Sequence, residues 1–306
     1  LDIPKEYADL YKDAPIKPCV KALSSLSWLA EENKSIVSYP NEAVLKRFKE
    51  LYYSAITMVD HQIKRILDAL EETGELDNTL ILFCSDHGEM LGDLGTYQKF
   101  LPHDASARIP MILRYPSKVK ADTQSESLVS LNDILPTILD LAQIDYPAPY
   151  SLLGQSLFDL SGRESTVMEH GRYERRWVCL VTGKYQYTYY YGVVREELID
   201  RLKDPDEQFN LMDHADPEIQ ALSEQFKAQL IQWELKHCLS DHIKNGTFIV
   251  YETPVPLPFN GTGPIVFPQS ITDPNEQAQI ASLADQIINS VKDEAVIDLN
   301  QHDFSY

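Results

Sequence analysis

The stretch that most constrains this chain is the run Leu80-Ile81-Leu82-Phe83-Cys84, followed at once by Ser85-Asp86-His87-Gly88. The run is too uniformly apolar for a half-solvated strand and too short for a free-standing helix. It therefore reads as a strand covered on both faces, central in an α/β sheet. Ligands collect at the carboxyl ends of strands in such sheets. Asp86 and His87 stand at that end, ahead of a glycine that lets the backbone turn sharply. A carboxylate beside an imidazole suits a divalent cation, a hard ion such as Ca²⁺ first and Mg²⁺ second. Taken alone, the tetrapeptide reads more simply as a turn capped by Asp86 next to an ordinary loop histidine.

The flanking text supplies an α/β context. From Asn41, a candidate N-cap, the residues Leu45, Phe48, Tyr52, Ala55, Val59, Ile63, Ile66, Leu67 and Leu70 recur at three- and four-residue steps, and Gly74 ends the pattern. That predicts a packed amphipathic helix delivering the chain to the strand before Asp86. A second strand-like run covers 109–114, and 128–143 predicts another helix with Pro136 near its first turn. Asp133 reads there as a cap or surface charge. The composition shifts near Pro147. Segments 165–171, 176–183 and 185–192 alternate apolar and polar residues between short turns, the pattern of a small antiparallel sheet. The tyrosines from Tyr185 to Tyr191 read as strand packing ahead of an aromatic binding surface. Helical periodicity over 217–237 places Ile219, Leu222, Phe226, Leu230 and Trp233 on one face. The rest is punctuated by Pro254, Pro256, Pro258, Pro264 and Pro268, with a helical pattern at about 275–293.

The fold class expected is thus α/β. Residues 1–146 would form part of a doubly wound, mostly parallel sheet with helices on both faces. Residues 147–240 would form a small α+β subdomain with an antiparallel sheet, and 241–306 a proline-containing extension. The formal charge of −20 argues against nucleic acid or an anionic membrane surface as the main partner. No run of about 18 apolar residues offers a transmembrane helix, and the opening LDIPKEYADLYKD lacks the pattern of a signal peptide. Cys19, Cys84, Cys179 and Cys238 show no zinc spacing. With sequons only at Asn33, Asn245 and Asn260, the compartment is left open.

Three pieces in order carry a resemblance: S-D-H-G-E-M-L-G-D from Ser85, then Lys99 with Pro102 three residues on, then Arg108-Ile109-Pro110 opening a strand. This order resembles the sulfatases of the alkaline-phosphatase superfamily. Ile3-Pro4 with Tyr7, the text Tyr53, Ala55, Ile56 and Asp60, the run from Asp133 to Leu141, and Glu196-Glu197-Leu198 with Asp204-Pro205-Asp206-Glu207 and Asn210-Leu211 echo further family segments. Leu94 departs from it, standing where many relatives carry histidine. The resemblance implies that Asp86 and His87 are metal ligands and that Lys99 contacts the sulfate and stabilises charge as it transfers. His103, one residue beyond Pro102, is a candidate substrate contact. The substrate implied is a sulfated sugar or small aryl molecule.

In that family the nucleophile is a formylglycine made within a C-x-P-S-R-like motif, and a second acidic metal pair lies near the amino terminus. No cysteine here is followed by x-Pro-Ser-Arg, and no Asp-Asp pair follows a strand before Asn41. The resemblance therefore implies that this chain corresponds to the carboxyl-terminal portion of a sulfatase, completed by an amino-terminal sulfatase segment or by self-association. Weak metal binding and no efficient turnover are expected of it alone. Phosphonate or phosphodiester hydrolysis, and a non-catalytic binding scaffold, are the alternatives.

Overall fold

A long helix dominates the first half of the computed structural model, which describes residues 3–23, 26, 42–145, 152–171, 176–238 and 242–251. Pro4 opens a single-turn helix α1 (Lys5–Ala8), and α2 spans Glu42–Glu72. The stop of α2 follows the expectation. Gly74 takes φ +75°, Gly74 N–H donates to Glu71 O at 3.0 Å, and Glu75 N–H donates to Leu70 O at 2.9 Å. These are the two closing bonds of a Schellman motif, which a residue with a Cβ forms at a steric cost. The proposed N-cap Asn41 lies outside the described residues, as do the sequons at Asn33 and Asn260, the boundary near Pro147, and the proline-punctuated region beyond residue 251.

The buried side of α2 differs from the predicted one. Its buried residues are Lys49, Glu50 and Ser54. They face the 9–19 segment: Asp13 N–H donates to Glu50 Oε1 at 3.2 Å and Lys49 Nζ reaches Lys17 O at 3.5 Å. On the apolar stripe Val59 is 48% and Ile66 is 62% exposed. The 3.6-residue period located the helix, but its apolar stripe is not the side the structure buries. Hydrogen-bonding residues hold the chain's amino-terminal segment against α2.

Strand β1 (Ile81–Cys84) follows α2 as expected, and β2 spans Met111–Arg114. The two pair antiparallel, Ile81 opposite Arg114 and Cys84 opposite Met111. Every residue of β1 is only half-buried, and Ile112 on β2 is exposed. A strand covered on both faces within a mostly parallel sheet was the expectation. Among the described residues there is no parallel pair, and both faces of this ladder keep solvent access. A uniformly apolar strand records which faces are suited to burial without recording which segment covers them.

The predicted antiparallel sheet is present, with one strand more than the alternation indicated. Strands β3 (Ser165–His170), β4 (Trp177–Thr182), β5 (Tyr185–Tyr190) and β6 (Arg195–Asp200) form a meander in chain order. Residues 195–200 carry three acidic groups and did not read as a strand. Alternation places the sheet between two cores. Trp177, Cys179 and Val181 of β4, with Tyr190, pack on Leu26, Met90, Leu94 and Leu101. Val178 and Leu180, with Tyr187, Tyr189 and Leu198, pack on Phe226 and Leu230. The latter two sit on α5, defined after α3 (Asp104–Ala107) and α4 (Ile134–Ala142) as Pro217–His237. Its predicted limits and apolar face hold, with Asp216 as N-cap accepting from Glu218 N–H at 2.9 Å and Pro217 in the first turn.

The tyrosines are strand packing: Tyr187, Tyr189, Tyr190 and Tyr191 are buried. Their hydroxyls are satisfied in the core, Tyr187 on Glu196 at 2.7 Å, Tyr190 on Glu197 at 2.9 Å and Tyr191 on Glu234 at 3.1 Å. Asp133 is a cap, as one of its two readings held, and it is wholly buried. It closes a capping box with Ser130 and forms a bidentate pair with Arg163 at 2.5 and 2.6 Å.

Candidate functional site

Between β1 and β2 the chain makes the excursion that holds the candidate residues. Asp86 and His87 leave the carboxyl end of β1, and the structure brings Lys99 back to them. Lys99 Nζ lies 2.6 Å from His87 Nε2, and His87 Nε2 lies 3.2 Å from Asp86 Oδ2. His87 Nδ1 is 2.8 Å from Gly88 O, which can only accept, so that contact favours a proton on Nδ1, while Nε2 faces both the Lys99 ammonium and the Asp86 carboxylate. Asp86 is open to solvent at 81% and His87 at 35%. Burial of the Asp86 carboxyl acts upward on its pKa, but the His87 N–H, the His87 ring and Lys99 together hold it below the ordinary value.

Close backbone approaches fix this arrangement. Gly88 N–H donates to Ser106 O at 2.6 Å and Glu89 N–H to Ala105 O at 2.9 Å. A Cβ on Gly88 would stand 2.1 Å from Ala105 O, so only glycine lets the Asp86 turn lie on α3. Glu89 ties the loop across its neck, its Oε1 accepting from Leu91 N–H at 3.3 Å and from Gln98 N–H at 2.5 Å. Within the loop Leu91, Leu94 and Gln98 all take positive φ, of 48°, 52° and 67°. Three side-chain-bearing residues in left-handed conformations between Asp86 and Lys99 concentrate strain where the candidate chemistry sits. Leu94, the departure from the family pattern, is 2% exposed, and its N–H donates to Val20 O at 2.8 Å. It is a packing residue.

Two donors, an exposed carboxylate oxygen and an imidazole lone pair, fit part of a coordination sphere for a divalent cation. Ca²⁺ takes six to eight oxygen-rich ligands. No cluster of three or more His, Cys, Asp or Glu suited to a metal occurs among the described residues. Asp86 and His87 therefore suit a site that other groups must complete.

His103 does not reach the site. Its side chain is wholly buried, and its Nε2 is 3.7 Å from Glu197 Oε2. Burial lowers its pKa to about 4, so it is neutral. The expectation that it touches substrate is corrected: the apolar segment Leu101-Pro102 carries His103 beneath the four-stranded sheet. Sequence reasoning also gave no site role to the residues that hold this segment. Trp177 Nε1 donates to Phe100 O at 2.7 Å, Gln186 Nε2 to Pro102 O at 3.2 Å, and Asp104 N–H to Glu207 Oε2 at 2.7 Å. Arg201 Nη2 donates to the Asp104 carboxylate at 3.1 Å. Glu207 was visible as part of a family signature; Trp177, Gln186 and Arg201 had no signal beyond strand alternation.

Two family models match the chain: Sulfatase over residues 2–144, and N-sulphoglucosamine sulphohydrolase, C-terminal, over residues 92–236. An arylsulfatase of Clostridium perfringens is 38% identical over 227 residues, covering 69% of this chain and 46% of that protein. Among solved structures, BT4656 in complex with its substrate D-glucosamine-2-N,6-O-disulfate is 26% identical, with a TM-score of 0.56 over 69% of this chain and 46% of that one. A phosphonate monoester hydrolase of Agrobacterium radiobacter is 25% identical, with a TM-score of 0.58 over 68% and 46% respectively. Strand-end residues, lysine loop and antiparallel subdomain together fall in the alkaline-phosphatase superfamily. Within it the chain belongs to the sulfatase family. The matches span between 22% and 46% of the length of these curated relatives.

Proposed function

We propose that this chain supplies the sulfate-gripping and part of the metal-holding side of a sulfuric ester hydrolase acting on a sulfated sugar or small aryl sulfate. The observation that carries the reading is the placement of Lys99 Nζ 2.6 Å from His87 Nε2, beside Asp86, at the mouth of β1. Lys99 presents a cation whose value grows as negative charge moves onto the transferring group and the leaving oxygen. His87, with its Nδ1 occupied by Gly88 O, offers Nε2, and Asp86 offers its exposed carboxylate. A divalent cation held there, Ca²⁺ before Mg²⁺, would polarise the sulfuryl oxygens. The nucleophile, a formylglycine in this family, belongs to residues other than these, since no cysteine of the chain stands in the required motif. An amino-terminal sulfatase segment completing the site is part of the same proposal.

The disulfated glucosamine bound by BT4656 supports a sulfated sugar as substrate. The match to a phosphonate monoester hydrolase supports a second reading, in which the same lysine and metal pair grip a phosphonate. The two are separated by the ratio of kcat/KM for 4-nitrophenyl sulfate and a 4-nitrophenyl phosphonate monoester, measured on the protein that carries this chain. A ratio above 10² in favour of the sulfate supports the first reading, and the inverse ratio supports the second. Absence of both activities in a metal-loaded preparation would favour a binding scaffold.

A further inference from the structure

The antiparallel subdomain grips the lysine loop at four points that the proposed chemistry does not use directly. Lys99 itself is exposed, yet the chain after it is held at alternate residues: Phe100 O by Trp177 Nε1, Pro102 O by Gln186 Nε2, and Asp104 by Glu207 at its N–H and by Arg201 at its carboxylate. The Phe100 ring lies 5.4 Å from His170 of β3, which lies 5.9 Å from Trp177 of β4. The far side of α3 receives the Asp86 turn through Gly88 N–H and Glu89 N–H. One four-residue helix thus couples two bodies: the sheet holds its start and the metal pair leans on its end.

From this geometry we infer that Trp177, Gln186, Arg201 and Glu207 are positioning residues for Lys99, setting its ammonium against the Asp86–His87 pair. The inference rests on the proposed role of Lys99 in gripping the sulfuryl group. Glu207 is the centre of the set. It is buried, its Oε2 accepts the Asp104 N–H, and Asp104, Arg201, Glu197, Tyr190 and Cys179 surround it. Burial and the nearby carboxylates raise its pKa to about 8, so at neutral pH it is an uncharged acceptor. Groups that orient an active residue without touching substrate typically cost about 10- to 100-fold when removed, and a displacement of about 1 Å at the reacting centre costs a similar factor.

The test is a double-mutant cycle with hydrogen exchange on the protein that carries this chain. Glu207→Ala is expected to lower kcat/KM for 4-nitrophenyl sulfate by about 10- to 100-fold, while Glu207→Gln, which keeps an acceptor for Asp104 N–H, stays within about threefold of the parent. In a Lys99→Ala background the further loss from Glu207→Ala is expected to fall below about threefold, because the group being positioned is gone. Trp177→Phe keeps a smaller aromatic ring and removes the donor; it repeats the cycle if Glu207→Ala does not fold. Amide exchange in peptide 96–104 is expected to rise in either variant while α5 is unchanged.

Equal losses in both backgrounds, or exchange rising throughout the chain, would overturn positioning and leave a general packing role. If Lys99→Ala alone leaves hydrolysis intact, or the parent hydrolyses neither substrate, the underlying reading of Lys99 fails and the inference falls with it. The exchange result would then still report whether the four contacts hold the loop.

Discussion

Glu207 and His103 share one buried cluster and oppose each other in pH. Glu207 has a folded-state pKa of about 8 against an ordinary 4.5, so its contribution is fully present below 4.5 and is lost as pH rises toward 8. His103 has a folded-state pKa of about 4 against an ordinary 6.5, so its contribution is present above 6.5 and is lost as pH falls toward 4. Together they give a stability plateau at about pH 4.5–6.5, with a decline toward pH 8 assigned to Glu207. Urea midpoints are expected to fall from pH 6.5 to 8 in the parent and to stay level over that window in Glu207→Gln; an unchanged slope there in the variant would contradict this. Asp133 and Arg163 make a different buried pair. Removing Arg163 leaves the carboxylate uncompensated, an expected loss of about 3–5 kcal/mol in Arg163→Ala, read by urea unfolding. Asp133 was legible as a cap, but the burial of these groups was not, because a histidine after a proline and an aspartate before a helix look alike whether solvated or buried.

Elements with a strong local signature were legible. Helix α2 and its Gly74 stop, the limits and apolar face of α5, and the strand before Asp86 all follow from period and cap chemistry acting within a few residues. Strand β6 was not legible, because its acidic side chains find their partners only in the folded sheet: Glu196 takes Lys227 of α5 at 2.6 Å and Glu197 takes Tyr190 of β5. The strand partner of β1 was likewise set by tertiary pairing. The Asp86 turn depends on one element contact that the sequence did hint at through its glycine. Gly88→Ala would push a methyl into the Ala105 carbonyl on α3. The substitution is expected to cost at least tenfold in activity with a measurable drop in Tm, whereas Gly183→Ala, with open space around its Cβ, is expected to change Tm little.

The molecule also exposes a set of large apolar side chains on elements of the catalytic-type half: Ile56, Val59 and Ile66 on α2, Ile112 on β2, and Leu135 and Ile138 on α4. The four-stranded sheet lies between two dense cores, one of them shared with Leu26, Met90, Leu94 and Leu101 of the first half. Apolar faces of this kind mark interaction surfaces, and the strand ladder of β1 and β2 offers edges for further pairing. This agrees with the proposal that a further sulfatase segment completes the α/β half. The isolated chain is expected to associate with rising concentration in sedimentation velocity and to bind an apolar dye. A sharp monomer without dye binding up to about 100 µM would contradict it.

The most direct test of the account is kcat/KM for 4-nitrophenyl sulfate in the protein that carries this chain, with Lys99 intact and as Lys99→Ala. Loss of a group that stabilises developing negative charge is expected to lower it by about 10²–10³, with Tm unchanged because Lys99 is exposed. A change below about threefold would contradict the assignment of Lys99, and with it the reading of the β1 mouth as a sulfate grip.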